Sequence, residues 1–185
     1  STEVCRKLCQ ELAGIKLPGV EALVAAVEGH RFLLVLRGPS LRPELSDSDP
    51  QQVGLPPRDV EALSPEAGPA AVLVNQWLEK ARAVLAGHHP ANMALLRGFS
   101  EMPRLPSMQE SFKLNPVAIA AYPMYRGLAR LVGMKVVSCE RDLEDEFATL
   151  ERHFREHDFL FLHVKKTDTA GEDGDFPRKA RAIEE

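Results

Sequence analysis

The spacing of apolar residues divides this chain into a first part of mixed elements and a second part in which strands and helices alternate. Apolar positions three or four apart predict a helix over residues 2–13, with Val4, Leu8 and Leu12 on one face. The same spacing predicts a longer helix in the stretch EAGPAAVLVNQWLEKARAVLAG, which ends at Gly87.

An unbroken apolar run between Arg31 and Arg37 predicts a buried strand. The preceding residues 20–27 fit either a strand or a short helix, and we favour a strand that pairs with this run through a tight turn. The short apolar segment NMALLRG predicts a further strand. Residues 38–59 are rich in proline and have no period, which predicts a long loop of a kind that is usually functional or disordered.

From Pro116 onward, apolar strand patterns alternate with amphipathic helix patterns. The strands are VAIAAYP, KVVSC and DFLFLHV, the helices are MYRGLARLVGM and RDLEDEFATLERHFREH, and a last helix begins in DFPRKARAIEE. This alternation predicts βαβ units and a parallel sheet. We therefore expect a mixed α/β protein, with an α+β segment and its antiparallel hairpin over residues 1–115, then part of a parallel α/β sheet over residues 116–185. Three strands leave a thin sheet with an unpaired edge, so we expect the chain to be a piece of a longer one.

Composition restricts the functional classes. A net charge of −4 argues against a general nucleic-acid binder, which is usually basic, but is compatible with a local basic pocket for a small anion. No apolar run approaches the roughly 18–20 residues of a membrane span, and the first residues lack the apolar core of a signal peptide. The three cysteines are best explained as free thiols, which indicates a reducing cytoplasm.

Acidic residues follow the last predicted strand, residues 159–162. Asp168 and Glu172 come just past its carboxyl end, where open α/β sheets bind their ligands. Carboxylate oxygens are suitable ligands for divalent cations, so this pair is a candidate metal site. A solvated acidic turn, in which Asp175 caps the last helix, explains the same spacing, and the residues alone do not decide between the two.

Arginines at the ends of predicted strands are candidates for anion binding. Arg31 and Arg37 flank one strand, and Arg97 ends another apolar run. Arginine suits bidentate recognition of phosphate or carboxylate, although ordinary surface charge explains each of them equally well. Asp47 and Asp49, in the stretch SDSDPQ, fit either a metal-binding loop or a local turn.

Other chemical motifs are weaker. His153 and His157 lie four apart in HFREH, but the glutamate that follows the first histidine of a zincin is missing, so we expect an exposed polar face. His163 fits either a core position or a site position. The chain contains no glycine-rich phosphate loop and no nucleophile elbow.

Four segments together resemble the archaeal-type, cofactor-independent phosphoglycerate mutases, a family that also occurs in bacteria and belongs to the alkaline phosphatase superfamily. They are HRFLLVLRG with SDSDPQ after it, PANMALLRGFSEMPRLPS, VAIAAYPMYRGLARLVGMKVV and DFLFLHVKKTDTAGEDGDFPRKARAIEE. The resemblance covers roughly residues 28–185, and the last two segments are the most specific.

This resemblance implies a two-domain enzyme that interconverts 3-phosphoglycerate and 2-phosphoglycerate through a phosphoserine intermediate. Two divalent ions, which are manganese, cobalt or magnesium, would activate the serine and neutralise the phosphate. The nucleophile would lie outside this chain, so we expect the chain alone to be inactive. Asp168 matches the aspartate ligand of the family's metal segment. Glu172 stands where related enzymes have a histidine, which leaves its role as a ligand open.

The resemblance also implies that residues 1–115 belong to an inserted substrate-binding domain and residues 116–185 to a metal-binding domain. Arg31, Arg37 and Arg97 would contact the phosphate or carboxylate. Asp47 and Asp49 would lie near the glycerate hydroxyls. Two alternatives stay open, namely another phosphotransferase or phosphohydrolase of the superfamily and a non-catalytic binding module.

Overall fold

The computed structural model describes residues 1–139 and 142–185 and divides the chain into two compact units, Ser1–Met102 and Pro103–Glu185. Each unit has its own sheet, as the change of pattern along the sequence predicts. The sequence analysis placed the boundary at residue 115, whereas the structural division follows Met102. The difference arises because a short helix that precedes the parallel sheet belongs to the second unit.

The first unit begins with helix α1, Thr2–Leu12, which is capped by the Ser1 hydroxyl and buries Cys5, Cys9 and Leu12. The predicted hairpin is confirmed, with β1 at Glu21–Ala26 paired antiparallel to β2 at Phe32–Arg37. All three cysteines are free thiols, as expected.

A 3-10 turn, Pro65–Ala67, leads into α2, Gly68–Leu85, whose buried face is the centre of this unit. Trp77 on that face is fully buried, and its ring stacks on Phe32 of the hairpin at a centroid distance of 6.1 Å. The first core therefore joins α2 to the hairpin.

The strand predicted for NMALLRG is wrong, since residues 92–98 have no regular structure. Ala94 and Leu96 are nevertheless buried, and the backbone N–H of Leu96 donates to the Ser48 hydroxyl at 2.8 Å. The backbone N–H of Ser48 in turn donates to the Leu96 carbonyl at 2.9 Å. The apolar pattern correctly indicated burial, but the hydroxyl and the backbone N–H of a single residue, Ser48, satisfy Leu96 instead of a neighbouring strand.

The second unit begins with α3, Met108–Phe112, and continues with the predicted alternation of strands and helices. The elements are β3 at Pro116–Ala120, α4 at Pro123–Leu131, β4 at Lys135–Val137, α5 at Leu143–His153 and β5 at Phe159–His163. The sheet is parallel in the order β4-β3-β5, and every residue of β3 is buried. The mixed α/β fold class is therefore confirmed.

Two helices follow β5, namely α6 at Lys166–Glu172 and α7 at Phe176–Glu184. The sequence predicted α7 but no helix for the residues of α6, which it left as either a metal-binding segment or a solvated acidic turn. Gly174 ends this short segment in the left-handed region at φ +69°, a usual helix-terminating conformation. No helix in the described part of the chain is long and apolar enough to cross a membrane.

Candidate functional site

Several polar residues of the second unit lie at the carboxyl edge of the parallel sheet. The central strand β3 is followed by Tyr122, the residue before α4, and β5 is followed by Lys165, the residue before α6. Asp168 and Glu172 lie four apart on α6, so their side chains project from the same face of that helix. The structure thus brings together the two carboxylates that the sequence selected.

Lys165 is the group that these two carboxylates share. Its ammonium contacts the carboxylate of Asp168 and lies 3.6 Å from Oε2 of Glu172. The hydrogen bond from Lys165 lowers the pKa of Asp168 and raises the pKa of Lys165 itself. Because oxygens from both carboxylates approach one positive charge, this donor set also fits a divalent cation that prefers hard oxygen ligands.

Aromatic rings flank the same edge. The Lys165 ammonium lies 5.4 Å from the centre of the Tyr122 ring. His163 at the end of β5 stacks on Tyr125, with 3.6 Å between the two ring centres. Burial lowers the pKa of His163, which favours its neutral form. His163, for which the sequence fits either a core or a site position, is partly buried and lies beside this edge.

Glu146 is a buried acidic candidate that the sequence analysis missed. It lies in the first turn of α5, is only 4% exposed and has an Oε2 atom without a hydrogen-bond partner among the described residues. Burial raises its pKa, and the positive charge of Lys166 opposes that shift. Burial also raises the pKa of the nearby Cys139 thiol, with a further contribution from the Glu146 charge. Acidic residues are common in a first helical turn, so the sequence gave no sign that this one faces inward.

Replacing Glu146 with Gln is expected to raise the free energy of unfolding by on the order of 1 kcal/mol at pH 7. A raised pKa means that the folded state holds a proton more tightly than the unfolded state. The wild type therefore loses stability as pH rises from about 4.5 through the folded pKa, whereas the variant does not. Urea unfolding at pH 4.5 and pH 7 measures this. An advantage of the variant that is equal at both pH values would contradict the assignment, and Glu144→Gln in the same helical turn is the control.

A cavity of about 1080 Å³ lies in the first unit. The arginines among the described residues that line it are Arg31, Arg42 and Arg97, and the acidic residues are Asp49 and Glu101. Arg97 pairs with Asp49 at 3.8 Å between Nη1 and Oδ2. The rest of the lining is mostly apolar, so the cavity combines charged groups of both signs with an apolar wall. Its three arginines are of the type that binds an anionic group of a small molecule.

The other two predicted binding residues have positional roles in this structure. Asp47 accepts a hydrogen bond from the backbone N–H of Gly98 at 2.9 Å, which ties the proline-rich loop to residues 96–98. Arg37 pairs with Glu21 at 3.6 Å across the open end of the hairpin. Arg42 was not selected from the sequence because the irregular loop that carries it has no period that assigns a direction to its side chains.

Comparison with protein families gives two matches that together span the chain. A model described as 2,3-bisphosphoglycerate-independent phosphoglycerate mutase matches residues 1–92, and a model of the metalloenzyme superfamily matches residues 79–185. The two matches overlap within α2 and the segment after it, so the family boundary differs from the structural one.

Individual relatives agree with these matches. A probable 2,3-bisphosphoglycerate-independent phosphoglycerate mutase of Thermosipho melanesiensis is 42% identical over 92% of this chain and 42% of its own length. One from Thermus thermophilus is 45% identical over 91% of this chain and 42% of its own length. The solved cofactor-independent phosphoglycerate mutase of Thermoplasma acidophilum has a TM-score of 0.63 and 25% identity, over 97% of this chain and 51% of that one. The chain thus spans less than half the length of these curated relatives.

Proposed function

Because this chain belongs to the metalloenzyme superfamily and its residues 1–92 match 2,3-bisphosphoglycerate-independent phosphoglycerate mutases, we propose that it forms part of an enzyme that interconverts 3-phosphoglycerate and 2-phosphoglycerate. The observation that carries the proposal is the pair of family matches that together cover residues 1–185. The placement of Asp168 and Glu172 at the carboxyl edge of the parallel sheet supports it.

Asp168 and Glu172 are proposed to hold divalent metal in the second unit. The family resemblance implies two divalent ions, each of them manganese, cobalt or magnesium. These ions would activate a serine nucleophile outside this chain and stabilise the charge of the transferred phosphoryl group. Lys165 compensates the charge of both carboxylates in this structure, and it lies between them and the ring of Tyr122. With metal on the carboxylates, its ammonium would be displaced and available to a phosphate oxygen.

The arginine cavity of the first unit is proposed to bind the anionic groups of the substrate. Arg31 and Arg97 would donate to phosphate or carboxylate, and Arg42 joins them as a residue that only the structure identifies. Asp49 already orients Arg97 and would accept a hydrogen bond from a glycerate hydroxyl. Asp47 would act by fixing the loop that carries Asp49. Given this substrate, we place the enzyme in the cytoplasm.

A coupled assay on the complete gene product tests the proposal. The protein is treated with a chelator and then with manganese, in the absence of 2,3-bisphosphoglycerate, and the 185-residue chain is assayed beside it. We expect activity in the complete protein that disappears with chelation and returns with metal, and no activity in the chain alone. A folded complete protein without mutase activity would refute the proposed reaction.

Replacing Arg97 with Ala in the complete protein is expected to raise KM for phosphoglycerate about 10-fold with little change in kcat. A hydrogen bond to a charged group contributes about 1.5–3 kcal/mol, and a contact made equally in ground and transition states appears in KM. Steady-state kinetics measure the effect. Arg37→Ala removes the same charge outside the cavity, where Arg37 forms only an exposed ion pair with Glu21 among the described residues. Because exposed ion pairs contribute little energy, this variant should change KM less than 2-fold. Equal effects of the two variants would contradict the cavity assignment.

A second candidate function is the hydrolysis or transfer of a different phosphate ester by the same superfamily site. The observation that favours it is Glu172, which stands where the family resemblance places a histidine and would alter the metal environment. A panel of small phosphorylated acids, assayed with the complete protein and manganese, separates the two candidates. A higher kcat/KM for another phosphate ester than for phosphoglycerate would favour the second candidate function.

A further inference from the structure

We propose that His153, Glu156 and His157 form a second metal site, which takes zinc or a similar borderline divalent cation. One ligand atom from each of these three residues can be chosen so that all lie within 4.8 Å of one another. Imidazole nitrogens with a carboxylate oxygen are the usual ligands of zinc when a water completes the fourth position. The family comparisons assign nothing to these side chains.

The distances within the cluster are close to those that zinc requires. Nδ1 of His153 lies 3.2 Å from Oε2 of Glu156, and the two histidine rings have their centres 6.0 Å apart. Zinc bonds of about 2.1 Å in a tetrahedral arrangement hold neighbouring ligand atoms about 3.4 Å apart. The His153–Glu156 edge already has about this length, and a ligand atom of His157 lies within 4.8 Å of both.

His157 is oriented by its other ring nitrogen. Its Nδ1 lies 3.1 Å from the backbone carbonyl of Asn115, which fixes the proton there and leaves the lone pair on Nε2. Nε2 is buried and has no hydrogen-bond partner among the described residues. A ring N–H donated to a backbone carbonyl is the usual second contact of a metal-binding histidine. A buried nitrogen acceptor without a partner is costly, and a metal ion would satisfy it.

Asn115 also holds the turn that carries the other ligand. Its side-chain amide donates to the carbonyl of Glu156 at 2.9 Å, and its backbone N–H donates to Oδ1 of Asp158 at 2.6 Å. Three contacts with one residue therefore fix residues 156–158 before any ion binds. Such preorganisation lowers the ordering cost of binding.

This cluster lies at the opposite end of the sheet from Asp168. Asn115 precedes β3 and Asp158 precedes β5, so the cluster is at the amino edge of parallel strands whose carboxyl edge carries the proposed catalytic metal. Five residues at about 3.3 Å each separate the two edges by on the order of 16 Å. The proposed ion would join the end of α5 to the start of β5.

The spacing H-x-x-E-H, which the sequence analysis assigned to an exposed polar face, is also that of inverzincin peptidases. In this chain α5 ends at His153, so the three side chains come from a helix end and the turn after it. Glu156 contacts His153 directly, so we assign it as the third ligand of the ion and not as a general base. The geometry therefore points to a bound cation held by three protein ligands.

Isothermal titration calorimetry with zinc tests the site. The parent for this experiment carries Asp168→Asn and Glu172→Gln, so that these two carboxylates at the carboxyl edge of the sheet cannot bind zinc. We expect binding of zinc that weakens at least 10-fold with His153→Gln and with Glu156→Gln. His88→Gln is the matched control, since His88 also pairs with a glutamate, Glu11, at 2.9 Å. Its loss should leave the affinity for zinc unchanged.

Cobalt provides an independent readout, because a tetrahedral nitrogen and oxygen site gives visible absorption that the His153→Gln and Glu156→Gln variants should lack. The zinc affinity of His157→Gln is compared only if its circular dichroism spectrum matches that of the parent, because this substitution also removes the contact with Asn115. Zinc affinity that is unchanged by His153→Gln and Glu156→Gln, or that falls equally with His88→Gln, would overturn the proposal.

Discussion

Replacing Asp168 with Asn in the complete protein is expected to lower kcat/KM for phosphoglycerate at least about 100-fold. The proposed metal stabilises charge that develops on the transferred phosphoryl group, and a neutral amide binds a divalent cation much less well than a carboxylate does. The same substitution removes the partner of Lys165, which lies against both Asp168 and Glu172. We therefore expect the manganese concentration for half-maximal activity to rise as well.

Asp173→Asn is the matched control for that experiment. Asp173 is the residue next to Glu172, and its carboxylate contacts Arg178 of α7 instead of Lys165. It should leave kcat/KM within about 3-fold of the wild type, as expected for a change remote from the chemistry. Steady-state assays across a manganese titration separate the two variants. Full activity of Asp168→Asn at the wild-type manganese requirement would contradict the metal assignment.

Replacing Trp77 with Ala is expected to lower the free energy of unfolding of the first unit by about 3–5 kcal/mol. Trp77 is fully buried, and the cavity left by its side chain would face Phe32 of the hairpin. The surrounding residues are held by a helix and two paired strands, so they can collapse only partly into that space.

Urea unfolding followed by far-UV circular dichroism, with amide exchange of the first unit, measures this loss. Val72→Ala on the same helix is the control, because Val72 is 57% exposed and its substitution should change stability by less than about 0.5 kcal/mol. A similar loss in both variants would show that the effect comes from the helix itself. In that case the stack of Trp77 on Phe32 would not be the source of the stability.

The parallel sheet could be predicted because its sequence pattern has one physical cause. A strand covered on both faces is apolar at every position, and all five residues of β3 are buried. The hairpin was predictable for a related reason, since alternate residues of β1 are exposed and the turn before Phe32 contains Gly29 in the left-handed region. In both cases the local pattern and the final environment agree.

The apolar pattern gave a wrong prediction where a segment is buried without being a strand. Residues 92–98 are apolar and partly buried, but Ser48, far away in sequence, supplies the hydrogen bonds that a neighbouring strand would have supplied. The short helix α6 was missed for a different reason, since Ala170 is its buried residue and seven mostly polar residues show no apolar period. Long-range partners such as Ser48 likewise leave no periodic signal in a single sequence.

Candidate site residues were predictable when they lay near one another in the chain. Asp168 and Glu172 are four apart, and a helix places them together. Glu146 and the pairing of Arg97 with Asp49 depend on how distant segments pack, so sequence spacing carried no information about them. His153, Glu156 and His157 are close in the chain, but their arrangement depends on Asn115, about forty residues earlier.

The order of the sheet, β4-β3-β5, has a consequence for how the second unit folds. Val117 of β3 pairs with Lys135 on one side and with Leu160 on the other, so the chain that must close the second pairing is more than twice as long. Closing the longer loop costs more entropy, and β3 should therefore join β4 first. Until β5 arrives, one edge of an entirely apolar strand stays open, which makes that intermediate the species most prone to self-association during folding.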